Sequence, residues 1–307
     1  MLHFLKFDRR RRILLSKLIA AALSLVFVLA QALPASAADG PIAVVAAENF
    51  YGDIARQIGG DRIAVGSIIS NPEQDPHLFE LTPGVVRQVT AARIVILNGA
   101  GYDSWMEKLL AATPQHERSV IDAAQLTGYK PGGNPHLWYA PATMPAVATA
   151  FAAALAAADQ NHADEYAARL KATLSSLAII AERVEKLKAK HAGAAVTATE
   201  PVFGPMAEAL ALTMRNQRFQ LAVMNDTEPS ARDVAAFESD LNNRRVKVLI
   251  YNSQASDKLT DRLRSIASKA KIPIVGVTET MPANVSYQKW LLDELEMLDK
   301  ALGSSDS

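Results

Sequence analysis

The apolar positions of this chain form two series of short runs and helix-period stretches, with one long helical segment between them. In the first series Ile42 to Ala46 reads as a strand. A helix follows Glu48-Asn49-Phe50 and ends near Ile58, where Gly59-Gly60 supplies a C-cap. Arg62 to Ile69 alternates weakly, as a second strand would. Thr82 as N-cap with Pro83 at the first helical position opens a helix to about Ala91. Ile94-Val95-Ile96-Leu97 is apolar throughout, the pattern of a parallel strand covered on both faces. After a turn at 98–101, a helix spans about Tyr102 to Ala112, and Ser119 to Asp122 is a fourth strand. This strand–helix alternation predicts a doubly wound α/β lobe.

A polar loop over 113–135 leads to an Ala-rich helix from Pro141 to Ala158. Then Tyr166, Leu170, Leu174, Leu177, Ile180, Val184 and Leu187 recur at three- and four-residue steps. Capped at Asn161 and running to about Lys190, that helix would be roughly 45 Å long, enough for a strut between two lobes. The second series predicts strands at Ala194–Thr199, Arg218–Val223, Val246–Tyr251 and Pro273–Val277. Its helices are expected at Phe203–Leu212, Ala231–Leu241, Ser256–Ala270 and Tyr287–Leu302. The expected fold is thus α/β: two doubly wound lobes joined by one long central helix, with a cleft between them. The domain limits follow as 38–160, 161–192 for the linking helix, and 193–307. In such sheets ligands bind outside the carboxyl ends of the strands.

Residues 1–37 stand apart. Lys6 and Arg9 to Arg12 make a basic start, Leu18 to Ala30 an apolar stretch, and Ala35-Ser36-Ala37 a small-x-small cleavage site. The apolar stretch is too short for a permanent membrane span. A cleaved signal peptide and a periplasmic protein are expected. Sec export is the default, although the arginine pair faintly resembles a twin-arginine signal.

The chain is formally neutral, with 32 basic and 32 acidic residues. The first 37 residues hold six basic and one acidic side chain, so the remainder carries 26 basic and 31 acidic. That mild negative excess argues against nucleic acid as a partner and suits a cation. The absence of cysteine removes both disulfides and thiolate ligands, and no cysteine follows the signal to accept a lipid.

The candidate chemistry lies in two similar motifs, Asp75-Pro76-His77-Leu78-Phe79-Glu80 and Asn134-Pro135-His136-Leu137-Trp138. Each proline fixes φ and pushes the residue before it into an extended conformation, so each histidine sits on a stiff loop. Two imidazoles so placed are a start on a metal site. From the second half, Glu200 and Glu279 each follow a predicted strand, and each also reads as a helix-start acid favoured by the macrodipole. Together, two imidazoles and two carboxylates neutralise a dication and suit Zn, Mn or Fe(II) better than Ca or Cu(I). His116, His162 and His191 read as surface residues. Glu48 could orient a histidine. Tyr251-Asn252 reads as a strand end that could also hydrogen-bond a ligand.

These motifs, with Asn98-Gly99-Ala100-Gly101-Tyr102-Asp103-Ser104-Trp105, Glu200-Pro201-Val202-Phe203, and Glu279 with the helix at Tyr287, resemble the zinc and manganese receptors of metal ABC transporters. These are the cluster A-I periplasmic solute-binding proteins, and the resemblance covers about residues 41–303. It implies capture of a divalent metal ion, Zn or Mn, as transported ligand, and its delivery to a membrane permease by a monomeric, non-catalytic protein. It implies His77 and His136 as the first two ligands. The third ligand is commonly His in zinc receptors and Glu in manganese ones, and Glu200 matches that position. The fourth is usually Asp, and Glu279 stands nearest, one methylene longer. The His-rich loop of many zinc receptors is missing, since 113–133 contains only His116.

A zinc-dependent hydrolase on the same cluster is the alternative. It would need an open coordination position and a general base. The chain has no His-Glu-x-x-His, Gly-x-Ser-x-Gly or P-loop motif. An adhesin is a third reading, disfavoured by the soluble signal.

Overall fold

Two four-stranded sheets, parallel throughout, form the two lobes. The structure is a computed structural model and describes residues 40–304 except 73–78, 226 and 256. The expected signal peptide and His77 lie outside the described residues. The first sheet holds β1 (Ile42–Glu48), β2 (Ile63–Ile69), β3 (Ile94–Leu97) and β4 (Ser119–Asp122) in the order β2-β1-β3-β4. The second holds β5 (Ala195–Ala198), β6 (Thr213–Arg215), β7 (Val248–Asn252) and β8 (Ile274–Val277) in the order β6-β5-β7-β8. All four residues of β3 are buried, as a strand covered on both faces requires.

Helices α1 (Asn49–Gly59), α2 (Pro83–Ala91), α3 (Ser104–Ala112), α4 (Ala123–Thr127) and α5 (Thr143–Ala158) belong to the first series. Thr82 caps α2 by accepting from the Val85 amide at 3.3 Å, with Pro83 at the first position as expected. α6 (Ala163–His191) is the long helix; at 1.5 Å per residue its 29 residues span roughly 44 Å. Its buried face runs Tyr166, Thr173, Leu177, Ile180, Val184, Leu187 and His191. The second series adds α7 (Gly204–Ala209), α8 (Gln217–Met224), α9 (Ala231–Asn242), α10 (Lys258–Lys269) and α11 (Tyr287–Ser304).

Besides the short α4 inside the expected loop over 113–135, one region departs from expectation. Arg218–Val223 is helical, within α8, and the strand lies upstream at Thr213–Arg215, beyond a helix that stops at Ala209. The spacing Phe219, Leu221, Val223 looks like strand alternation. However, Leu221 is 46% exposed while Phe219 is buried against Phe237, their ring centroids 4.8 Å apart. Phe219 and Val223, four apart, join the same apolar cluster and share a helix face. Asn216, at φ 57°, turns the chain from strand into helix.

The two sheets share a continuous apolar core, which runs from Val44 and Phe50 through Trp138 and Phe203 to Val248 and Trp290. Aromatic side chains bridge it: Phe50 stacks on Trp138 at 4.8 Å, and Tyr139 meets Phe203 at 5.3 Å and Trp290 at 5.6 Å. α11 returns to pack on α6, α1 and β8. Hydrogen bonds tie the halves further. The Asn49 side chain exchanges two with the Met281 backbone, at 2.7 and 3.0 Å, and the Tyr287 hydroxyl donates to the Trp138 carbonyl at 2.6 Å. These contacts hold the two halves of the chain together near the site residues.

Candidate metal centre

His136 is 1% exposed, and its neighbours set its tautomer. The Asn134 side-chain amide donates to the Pro201 carbonyl at 2.6 Å, which leaves its oxygen facing back toward the loop. That oxygen accepts the His136 backbone N–H at 3.0 Å and lies 2.7 Å from Nδ1. Nδ1 therefore carries a proton, so in the neutral imidazole the lone pair lies on Nε2. The close approach requires Gly204, where a Cβ would sit 2.5 Å from the Asn134 amide nitrogen. Behind the loop, Asn98 donates to the Pro135 carbonyl at 2.9 Å and accepts the Tyr51 hydroxyl at 2.8 Å.

The Nε2 of His136 is buried without a hydrogen-bond partner, and it lies 3.5 Å from Oε2 of Glu279. Glu279 is 1% exposed and follows β8. Its oxygens take donors from both sides: the Tyr102 hydroxyl on Oε2 at 2.9 Å, and the Asn252 amide on Oε1 at 2.7 Å. The same Asn252 amide donates to Oε2 of Glu200 at 2.9 Å, so one nitrogen bridges the two carboxylates. Gln254 orients this side. Its backbone N–H donates to Asn252 Oδ1 at 3.0 Å, and its side-chain oxygen accepts the Glu279 and Thr280 amides at 2.5 and 2.8 Å. Its side-chain nitrogen reaches the Pro72 carbonyl at 2.9 Å, just before the segment that contains His77.

Tyr102 stands on a turn of three successive positive φ values, Gly99 at 69°, Ala100 at 56° and Gly101 at 79°. The Asp103 carboxylate holds that turn by accepting the Asn98 and Gly99 amides at 2.7 and 2.8 Å. Burial lifts the Asp103 carboxyl to about 7, against the lowering effect of those amides. Gly99 is required there, since a Cβ would lie 2.4 Å from an Asp122 oxygen. The Tyr102 ring packs edge-on against Trp138 at 4.8 Å. Burial, and after it the Glu279 charge, pushes its hydroxyl well above the usual range, so it remains a donor.

Of the four expected ligands, His136 and Glu279 face each other, Glu200 lies one amide away, and His77 is outside the described residues. Among the described residues no group of three or more His, Cys, Asp or Glu side chains is placed to hold a metal ion. Tyr102 was legible only as part of a motif, and nothing in its spacing marked it as a donor to Glu279. Asn252, read first as a strand end, bonds both acids. Glu48 is buried with both oxygens lacking a hydrogen-bond partner, and burial raises its pKa well above the ordinary value. It makes no hydrogen bond to His136. His116 is exposed and His162 bonds Asp159. His191 departs from its expected surface place: it is buried against Asp299 at 2.8 Å, because the last turn of α6 packs on α11.

With the imidazole neutral, its Nε2 lone pair and the Glu279 oxygen 3.5 Å away are both electron-rich, and a shared cation relieves their repulsion. A dication coordinated by nitrogen and oxygen satisfies both, and the donor set fits a first-row transition ion.

The family model described as "Zinc-uptake complex component A periplasmic" matches residues 44–301. The chain is 24% identical over 291 residues to the metal ABC transporter substrate-binding lipoprotein FimA of Streptococcus parasanguinis, covering 85% of this chain and 90% of that protein. It is 23% identical to the manganese-binding lipoprotein MntA of Bacillus subtilis, over 72% of this chain and 74% of that one. The periplasmic zinc-binding protein TroA from Treponema pallidum superposes with a TM-score of 0.72 at 18% identity, covering 86% of this chain and 99% of its own. At that identity the likeness is one of fold: two parallel-sheet lobes and a long central helix.

Proposed function

The chain belongs to the zinc-uptake complex component A family, and from that premise we propose that it is the substrate-binding component of a metal ABC transporter. It captures one divalent ion, Zn²⁺ or Mn²⁺, outside the cytoplasmic membrane and hands it to the transporter's permease. The signal-like start at 1–37 supports a periplasmic location after cleavage, and the mature chain acts as a monomer.

The observation that carries this reading is the buried His136 Nε2, its lone pair directed by Asn134 toward the Glu279 carboxylate 3.5 Å away. Glu200 joins through Asn252, and His77 completes the set on the strength of its motif alone. Three ligands of this kind beside a second imidazole bring a net charge of minus two to the ion, which neutralises it in a buried place. Zn²⁺ is expected to bind tightly whichever ion is carried, because it outcompetes Mn²⁺ at nearly any N/O site. The hydrolase alternative finds no support, since the relatives named above are described as binding proteins.

Chelator-stripped mature protein dialysed against Zn²⁺ or Mn²⁺ tests the reading. One equivalent of tightly held dication is expected, and no bound ion near one equivalent overturns it.

A further inference from the structure

Glu279 is gripped in a way that fixes how it can meet a cation. Its two oxygens point to different donors: Oε2 to the Tyr102 hydroxyl at 2.9 Å and Oε1 to the Asn252 amide at 2.7 Å. Oε2 is also the oxygen that faces His136 Nε2, at 3.5 Å. Each oxygen keeps a second lone pair for an ion, but turning the carboxylate to bring both oxygens to an ion beside His136 would strain one or both of these bonds.

Neither donor can readily follow. Asn252 is 2% exposed, its amide is shared with Glu200, and its oxygen holds the Gln254 amide. Tyr102 sits on the left-handed turn held by Asp103, with its ring against Trp138. Each oxygen of Glu279 therefore enters coordination with a lone pair already engaged. This matters most for a two-oxygen grip, which needs both at once.

We propose that Tyr102 and Asn252 are positioning residues that hold Glu279 to one-oxygen coordination, and so favour a four-coordinate cargo ion over one with a larger shell. Zn²⁺ is satisfied by four ligands, one oxygen from each carboxylate. Mn²⁺ suits octahedral, oxygen-rich surroundings, for which a carboxylate supplying both oxygens is the economical source. Tyr102 belongs to the first half of the chain and Glu279 to the second, so the hydroxyl couples the ion's coordination number to the contact between the halves. The inference rests on the reading of Glu279 as a cargo ligand.

The test is a competition titration of chelator-stripped protein with Zn²⁺ and Mn²⁺, on wild type, Tyr102→Phe and Asn252→Ser, alongside X-ray absorption of the loaded proteins. Tyr102→Phe is expected to shift the ratio of the two dissociation constants toward Mn²⁺ by about tenfold or more, the range seen when a group orienting a metal ligand is removed. The coordination number of bound Mn²⁺ is expected to rise, while the melting temperature of the metal-free variant stays near wild type. Asn252→Ser releases the other oxygen and is expected to move the ratio the same way, so a folding defect in one variant leaves the other to decide. If the wild type binds one equivalent and neither variant changes the ratio or the coordination number, the positioning role falls and the receptor reading stands. A wild type that binds no dication removes both.

Discussion

The side-chain oxygen of Asn134 lies 2.7 Å from Nδ1 of His136, two residues on, and the same amide reaches the Pro201 carbonyl at 2.6 Å. One side chain thus fixes which imidazole nitrogen bears the proton and ties that loop to the start of the Pro201–Phe203 turn. The arrangement explains why the Asn-Pro-His order matters. Proline stiffens the link, and asparagine supplies the acceptor that leaves Nε2 facing Glu279.

Asn134→Ala is accordingly expected to weaken metal binding about 10- to 100-fold, the usual cost of losing a group that orients a ligand. The fold should survive, because Asn134 is only half-buried. Isothermal titration of stripped protein with Zn²⁺ measures the effect, and an unchanged dissociation constant would remove Asn134 from this role.

Cargo should also stabilise the protein. An ion at 100 times its dissociation constant adds about 2.7 kcal/mol to unfolding, which for a chain of this size is roughly 5–10 °C in melting temperature. The rise is expected to be small or absent in Glu200→Ala and Glu279→Ala. A variant showing the full wild-type shift takes its carboxylate out of the ligand set.

Far from the site, Asp299 on α11 receives Arg183 at 3.0 Å, Lys190 at 2.7 Å and His191 at 2.8 Å from α6. Although partial burial alone would raise it, hydrogen bonds from Lys190 and His191 and the Lys190 and Arg183 charges bring its carboxyl down to about 2. A folded-state pKa below the unfolded value of about 3.9 means that the stabilisation is complete above pH ~4 and disappears as pH falls toward 2. Because Lys190 is largely exposed, the contribution is about 1 kcal/mol after solvent screening. Asp299→Asn should lower stability by that amount at pH 7 and converge with wild type near pH 2. Urea melts across that window check it, and parallel curves would refute the linkage.

How much of this was legible beforehand depends on the range of the interaction. The four strands of the first sheet, the α2 cap at Thr82 and the long helix rest on local signals: unbroken apolar runs, a Thr-Pro pair, and steps of three and four. The Thr213–Arg215 strand was missed because three residues carry too short a pattern to separate from a helix end. Phe219 and Val223 fit either period until Phe237 decides between them. At the site, His136 stands out by its Asn-Pro-His motif, and Glu200 and Glu279 by their places after predicted strands, signals that are visible in one dimension. The grip of Tyr102 on Glu279 joins residues 177 apart, and neither residue announces the other. The bridging by Asn252 is similar: a buried asparagine at a strand end is ordinary until two acids are seen on one amide nitrogen.

Glu294, on α11, provides a last test. Its Oε1 accepts the Tyr139 hydroxyl at 3.1 Å, the Trp290 indole N–H at 2.9 Å and the Thr278 amide at 3.4 Å, which ties the loop after His136 to the residue before Glu279. Burial outweighs these donors and lifts its carboxyl to about 8. With a folded-state pKa above the unfolded value, the native protein holds a proton that the unfolded chain has released. Its contribution to stability therefore declines as pH rises from about 4.5 to about 8 and is level beyond. At 1.36 kcal/mol per unit the whole decline is at most roughly 4–5 kcal/mol. Glu294→Gln keeps an oxygen for the three donors and cannot ionise. In chelator-treated protein, the wild-type curve is expected to lose stability relative to this variant between pH 5 and 8. A constant difference across that range would mean that Glu294 ionises in the core as readily as in water.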